Sequence, residues 1–307
     1  MKADWLGVYP ALTTKFTSSG DLDIPMFLHN VDAQMKAGVD GIIIGGSLGE
    51  SSTLSHDERI ELIQAARDHV QGRIPVVMNV AEGSLRSAVQ LAKRAQDAGA
   101  DGFMLLPPMM YKPTSQETAD YFMAFAKSTD LSILVYNNPV DYKVEITLDM
   151  FEQFAAHDNI AAVKESTRDI SNVTRMRNRF GDRFKILCGV DTLAMEELLM
   201  GADGWVAGLV CAFPEETVAI YRLIKAGRMS EALPIYRWFL PILELDIDPQ
   251  LVQNIKLAEV LTGLGNENVR LPRQRLQGER RNEVFRILAK GLENRPKLPD
   301  YLSIKAH

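Results

Sequence analysis

The chain has almost no cysteine, no long apolar run and no block of like charge, and each shortage removes a class of function. Cys188 and Cys211 are its only cysteines among 307 residues. They are too few for a disulfide framework and lack metal-ligand spacing, so no structural metal is expected. Cys188 closes an apolar run and reads as a small buried hydrophobe. No stretch approaches the roughly twenty apolar residues that span a bilayer, so no membrane role is expected. The opening Met1-Lys2-Ala3-Asp4-Trp5 carries no apolar segment of signal-peptide length, which makes cytoplasm the expected location. The formal net charge is -6, with basic and acidic residues interspersed, so nothing points to a nucleic-acid partner.

What is present is an alternation. Short, near-continuous apolar runs recur at Gly7–Leu12, Gly41–Ile44, Pro75–Met78, Gly102–Leu106, Ile133–Tyr136, Ile160–Lys164, Phe184–Cys188 and Gly204–Ala207. Runs without polar alternation fit strands of a parallel sheet covered on both faces. Helices lie between them, two with capping-box signals, at Ser55 with Glu58 and at Thr114 with Glu117. A small repeat precedes three strands: Ala37-Gly38-Val39-Asp40-Gly41, Ala98-Gly99-Ala100-Asp101-Gly102 and Gly201-Ala202-Asp203-Gly204. The first glycine can end a helix in the left-handed conformation, and Asp-Gly turns the chain into the strand.

Eight such units allow a closed (β/α)₈ barrel or an open doubly wound sheet. No G-x-G-x-x-G follows the first strand, which favours the barrel, an α/β TIM barrel occupying residues 1–227. After Gly227 the strand pattern stops. Helices are expected over Glu231–Leu245, Leu251–Leu264 and Arg280–Leu292, giving a C-terminal helical domain over 228–307. The Arg-rich connector from Asn266 to Arg281 reads as a solvated face.

Barrel active sites form at the C-terminal ends of the strands. Tyr136 and Lys164 close otherwise apolar runs there. Lys164 is open to two readings: a strand cap paired with Glu165 or another carboxylate, or a desolvated amine that attacks a carbonyl or imine carbon. Tyr136 is either a core aromatic or a proton shuttle to Lys164. The turn Gly45-Gly46-Ser47-Leu48-Gly49-Glu50-Ser51 is either a plain tight loop or an anion nest for a carboxylate, with Ser47 as an extra donor. Glu82 reads as an exposed loop acid rather than a contact to a substrate hydroxyl, and Asp191 as a helix N-cap rather than a substrate contact.

Gly46-Ser47-Leu48-Gly49-Glu50, Tyr136-Asn137-Asn138-Pro139 and Val163-Lys164-Glu165-Ser166 occur in that order at barrel-strand spacing. Together they resemble the signatures of the dihydrodipicolinate synthase/N-acetylneuraminate lyase family, over almost the whole chain. The resemblance implies Schiff-base chemistry without cofactor or metal, on a small-molecule carboxylate substrate, in a homotetramer. It assigns Lys164 as the Schiff-base lysine and Tyr136 as the proton shuttle, with Gly46, Ser47, Leu48 and Val206 binding substrate.

Three departures bear on the reaction. Leu48 stands where the synthases have a second threonine, Met110 where they have a relay tyrosine (Tyr111 lies one place off), and Asp141 where they have a carboxylate-binding arginine. With Gly7–Thr14, Trp205–Glu216 and Asp246–Glu259 also resembling the 1-pyrroline-4-hydroxy-2-carboxylate deaminases, the expected activity is conversion of that imine to 2,5-dioxopentanoate and ammonia by a Schiff-base lyase/hydrolase. The alternatives are a 4-hydroxy-tetrahydrodipicolinate synthase type, a 2-keto-3-deoxy sugar acid aldolase or lyase using pyruvate, and a non-catalytic barrel that binds a carboxylate.

Overall fold

The structure, a computed structural model, describes residues 3–304. Eight parallel strands alternate with helices. They are β1 (Gly7–Pro10), β2 (Ile42–Ile44), β3 (Val76–Val80), β4 (Gly102–Leu105), β5 (Ser132–Asn137), β6 (Ile160–Glu165), β7 (Lys185–Cys188) and β8 (Gly204–Ala207). From β2 to β8 each strand is hydrogen-bonded to the next in sequence, and β1 to β8. Between β1 and β2 closure rests on a parallel bridge of Ala11 with Ile43, in which the Leu12 amide donates to the Ile43 carbonyl at 2.9 Å. The expected barrel is therefore the observed one. The strands are buried almost throughout because the barrel interior covers one face and the helices the other.

The helices around the barrel are α1 (Ile24–Ala37), α2 (His56–Val70), α3 (Leu85–Asp97), α4 (Ser115–Ala126), the single turn α5 (Pro139–Tyr142), α6 (Leu148–Phe154), α7 (Ser171–Phe180), α8 (Ala194–Leu199) and α9 (Pro214–Lys225). Both capping boxes form, Ser55 with Glu58 opening α2 and Thr114 with Glu117 opening α4. The repeated glycines are left-handed, with φ of 83° at Gly38, 97° at Gly99 and 104° at Gly201.

The aspartates of that repeat do more than turn the chain. Asp40 accepts from the Val8 amide at 2.8 Å, Asp101 from Val76 at 3.0 Å and Asp203 from Ile186 at 2.8 Å. Each carboxylate thus ties the start of one strand to the amide of its neighbour and sets the register at the bottom of the barrel.

Past Gly227 come α10 (Met229–Leu243), α11 (Leu251–Thr262) and α12 (Gly278–Glu293), close to the expected ranges. Helix α10 packs on α9 and α12, and α11 on α12. Two buried ion pairs fasten α11 to the barrel: Glu259 with Lys15 at 2.8 Å, and Lys256 with Glu50. Buried pairs of this kind are costly to break from one side, because the remaining charge is left unpaired.

The Arg-rich connector is exposed along much of its length, but one arginine is not on a solvated face. Arg270 reaches into the barrel loops, donating to the carbonyls of Gly20 at 2.6 Å and Thr53 at 3.0 Å and pairing with Glu58. Its guanidinium lies 4.4 Å from the centre of the Phe16 ring. A run of arginines reads alike in sequence whether it faces water or packs on a neighbour; here the carbonyls of two loops supply the partners.

Candidate active site

Pairing of β5 with β6 sets Tyr136 directly beside Lys164. Both stand at the C-terminal ends of their strands and both are buried. The Lys164 Nζ lies 4.1 Å from the centre of the Tyr136 ring. Glu165 takes no part: its carboxylate turns outward and accepts from the Thr167 amide at 2.8 Å and Asn172 at 2.7 Å. No carboxylate among the described residues pairs with Lys164, so the strand-cap reading fails. Burial lowers the Lys164 pKa, opposed by the nearby Tyr142, Asp246 and Asp191. The Tyr136 phenol is pushed up to about 12, chiefly by burial, so it is protonated at neutral pH.

A second tyrosine, missed in the sequence, completes the centre. Asn138 caps α5, its side chain accepting from the Asp141 amide at 3.1 Å, and Pro139 opens the turn. This single turn brings Tyr142 back against Tyr136, edge to face, with ring centres 5.4 Å apart and planes at 85°. The Tyr142 hydroxyl pairs with Ser47 Oγ, while the Tyr136 hydroxyl accepts from Asn138 Nδ2 at 3.3 Å. The sequence held a usable signal, since Asn-Pro is a helix-start pair. The positions expected to supply this tyrosine do not: Met110 is 82% exposed, Tyr111 54%, and neither lines the pocket.

The turn after β2 is held in place from several sides. Asn79 donates to the Gly45 carbonyl at 2.9 Å, Thr14 to the Gly49 carbonyl at 2.6 Å, and Glu50 is anchored by Lys256. A side chain at Gly49 would place its Cβ 2.9 Å from the Leu12 carbonyl, so only glycine fits there. The amides of Ser47 and Leu48 have no acceptor among the described residues and remain available to an anion.

These elements surround a hollow of about 670 Å³, counting its open mouth. All six sequence-derived site residues line it: Gly46, Ser47, Leu48, Tyr136, Lys164 and Val206. Two of its walls require glycine. A Cβ at Gly189 would come within 2.1 Å of Ser166 Oγ and 2.7 Å of Lys164 Cγ, and one at Gly208 within 2.3 Å of Asp246 Oδ1. The Ser166 hydroxyl is buried beside Lys164 without a partner.

Two charged residues at the hollow were not foreseen. Arg168, in the left-handed region with φ of 64°, sets its guanidinium 3.9 Å from Asp141. Asp246 enters from the helical appendage. Nothing in a sequence period marks a loop residue that folds over a mouth built by other elements.

Glu82 and Asp191 are corrected. Glu82 is not an exposed acid, nor does it line the hollow: it pairs with Arg59 at 2.7 Å and accepts from Ser87 at 2.6 Å. Asp191 caps no helix with its side chain. It is buried, accepting from Trp205 Nε1 at 2.9 Å and the Leu209 amide at 2.8 Å, and so secures the end of β8.

The profile of the dihydrodipicolinate synthetase family matches residues 4–290. The chain belongs to that family. It is 31% identical over 287 residues to a 4-hydroxy-tetrahydrodipicolinate synthase of Haloarcula marismortui, covering 93% of this chain and 94% of that protein. A synthase of the same name from Bartonella bacilliformis is 32% identical over 87% of this chain and 91% of its own length. Among solved structures, the 4-hydroxy-tetrahydrodipicolinate synthase of Methylacidiphilum fumariolicum SolV superposes with a TM-score of 0.88 at 30% identity, covering 94% and 97% of the two chains. A prophage protein of the family from E. coli K12, solved in complex with pyruvate, gives 0.89 at 29% identity, covering 94% and 99%.

These relatives overturn the expected deaminase activity, and its hydrolase component with it. The site explains why the departures misled. Tyr142 stands against Tyr136 although Met110 cannot, and Arg168 brings a guanidinium to the mouth where Asp141 alone had suggested reversed charge. What holds at the family level is a lyase of the class I aldolase type.

Proposed function

We propose that the chain is a pyruvate-dependent Schiff-base lyase of the 4-hydroxy-tetrahydrodipicolinate synthase type, with residues 1–227 as its catalytic barrel. The observation that carries this reading is the buried Lys164 amine, without a carboxylate partner among the described residues and seated on Tyr136. Burial favours the neutral amine, which is the nucleophile.

The neutral Nζ attacks C2 of the 2-oxo acid, whose carboxylate rests on the Ser47 and Leu48 amides with Ser47 Oγ. Loss of water from the carbinolamine needs a proton delivered to the departing hydroxyl, and the Tyr136 phenol is placed to give it. Tyr142 and Ser47 carry the replacement proton inward, because Ser47 lies at the exposed end of the chain of hydroxyls. Removal of a methyl proton from the imine gives the enamine, whose carbon adds to an aldehyde. Hydrolysis then frees the product and restores Lys164.

Borohydride reduction in the presence of pyruvate is the test. A stable adduct on Lys164, absent from Lys164→Ala, is expected, and an unlabelled wild-type lysine would overturn the reading. Condensation of pyruvate with aspartate semialdehyde then tests the synthase assignment.

A further inference from the structure

The pocket wall contains two carboxyl groups that the Schiff-base chemistry does not use: Asp141, already engaged by Asn138 and Arg168, and Asp246. Asp246 ends the turn Glu244–Asp246 between α10 and α11, outside the barrel, yet lines the same hollow as Lys164 and Ser47. It packs directly on Gly208, where a methyl group would leave only 2.3 Å to Oδ1. No side chain among the described residues donates a hydrogen bond to it, although the Asp191 backbone faces it. Its neighbours Ile247 and Leu251, from the same segment, complete this wall.

We propose that Asp246 recognises a hydroxyl group on the substrate carbon chain beyond the Schiff-base carbon. The proposal rests on the Schiff-base reading above and names a contact within that site. A ligand held through C2 on Lys164 and through its carboxylate at Ser47 extends its remaining carbons into the space that Asp246 borders. A carboxyl group without a side-chain hydrogen-bond partner among the described residues meets a hydroxyl well, whether it accepts or donates. A cationic group is the poorer fit, because Lys164 and Arg168 already line this hollow. Burial and the nearby Asp191 also raise the proton affinity of Asp246, which further weakens its pull on a cation.

The experiment compares borohydride trapping of three 2-oxo acids on Lys164: 2-oxopentanoate, 4-hydroxy-2-oxopentanoate and 4-amino-2-oxopentanoate. Half-saturating concentrations are read for wild type, Asp246→Ala and Asp246→Asn. Effects on Lys164 reactivity are common to all three acids and cancel in the ratios. Wild type is expected to favour the hydroxy acid over the unsubstituted one by about tenfold, the scale of one hydrogen bond to a charged or strongly polar group. Asp246→Ala abolishes that preference, and Asp246→Asn, which keeps a donor and an acceptor, retains part of it.

An unchanged ratio in Asp246→Ala overturns the proposal, as does a preference for the amino acid analogue. A melting curve and pyruvate labelling show that each variant is folded. If pyruvate itself fails to label wild type, the Schiff-base reading has failed; if pyruvate labels and only the hydroxyl preference is missing, the Asp246 contact alone has failed.

Discussion

Tyr142 joins two residues that the sequence keeps far apart: its hydroxyl bonds Ser47 on the turn after β2, and its ring packs edge to face on Tyr136 at the end of β5. All three groups come from one chain, and a four-residue helix is what aligns them. Tyr142→Phe is therefore expected to lower kcat by about 10²-fold, the low end of what a positioned proton-transfer group contributes, with KM for pyruvate changed far less. Steady-state kinetics of the pyruvate reaction check this. An unaltered kcat would remove Tyr142 from proton transfer.

The depressed pKa of Lys164 sets a pH dependence. The amine attacks only when neutral, so imine formation rises with pH through the folded-state pKa and then levels off. Because burial lowers that pKa, the rise is expected to be centred below the ordinary lysine value of about 10.4. The rate of borohydride-trapped labelling against pH measures it. A midpoint at or above the ordinary value would mean that burial does not activate this lysine.

Gly189 offers a steric test. A methyl group there would sit 2.7 Å from Lys164 Cγ and 2.1 Å from Ser166 Oγ, so Gly189→Ala must displace the lysine stem. Labelling by pyruvate is expected to fall by at least about tenfold, since small misplacements of a reacting group are costly. Circular dichroism should stay that of the barrel. Normal labelling would mean that the lysine has room the geometry denies it.

Glu197 couples the fold to pH. It is fully buried near Glu165 and the Cys188 thiol, and burial pushes its pKa up to about 8. The native state keeps this proton while the unfolded chain loses it above about pH 4.3. Stability is thus highest at the acidic end of that window and falls as pH rises toward 8, beyond which the loss is complete. Glu197→Gln should remove the slope and exceed wild type at pH 8.5 by an amount of order a few kcal/mol. Urea unfolding of both proteins at pH 5 and pH 8.5 gives the comparison; parallel pH profiles would contradict it.

Periodicity and turn chemistry made the barrel legible. Apolar runs without alternation marked its strands, and Gly38, Gly99 and Gly201 marked where helices stop. Lys164, Tyr136 and the Ser47 turn were legible because strand ends and glycine-rich turns advertise themselves locally. Tyr142, Arg168 and Asp246 were not, since each reaches the site only through the way a short loop or turn folds back. Glu82 and Asp191 misread for the opposite reason: their loops suggested water or a helix end, whereas Arg59 and the β8 amides supply their partners. The deaminase expectation failed at the same level, by treating Met110 and Asp141 as isolated positions.

The close seat of Asp246 on Gly208 also constrains how this lineage can vary. Oδ1 occupies the space a β-carbon would need, so Gly208 is not free to gain a side chain while Asp246 stays in place. A homologue that gains a side chain at 208 must shed or move the carboxylate at 246. Across an alignment of relatives, a side chain at 208 should therefore appear only where 246 is not this aspartate, whereas 246 can vary while 208 stays glycine.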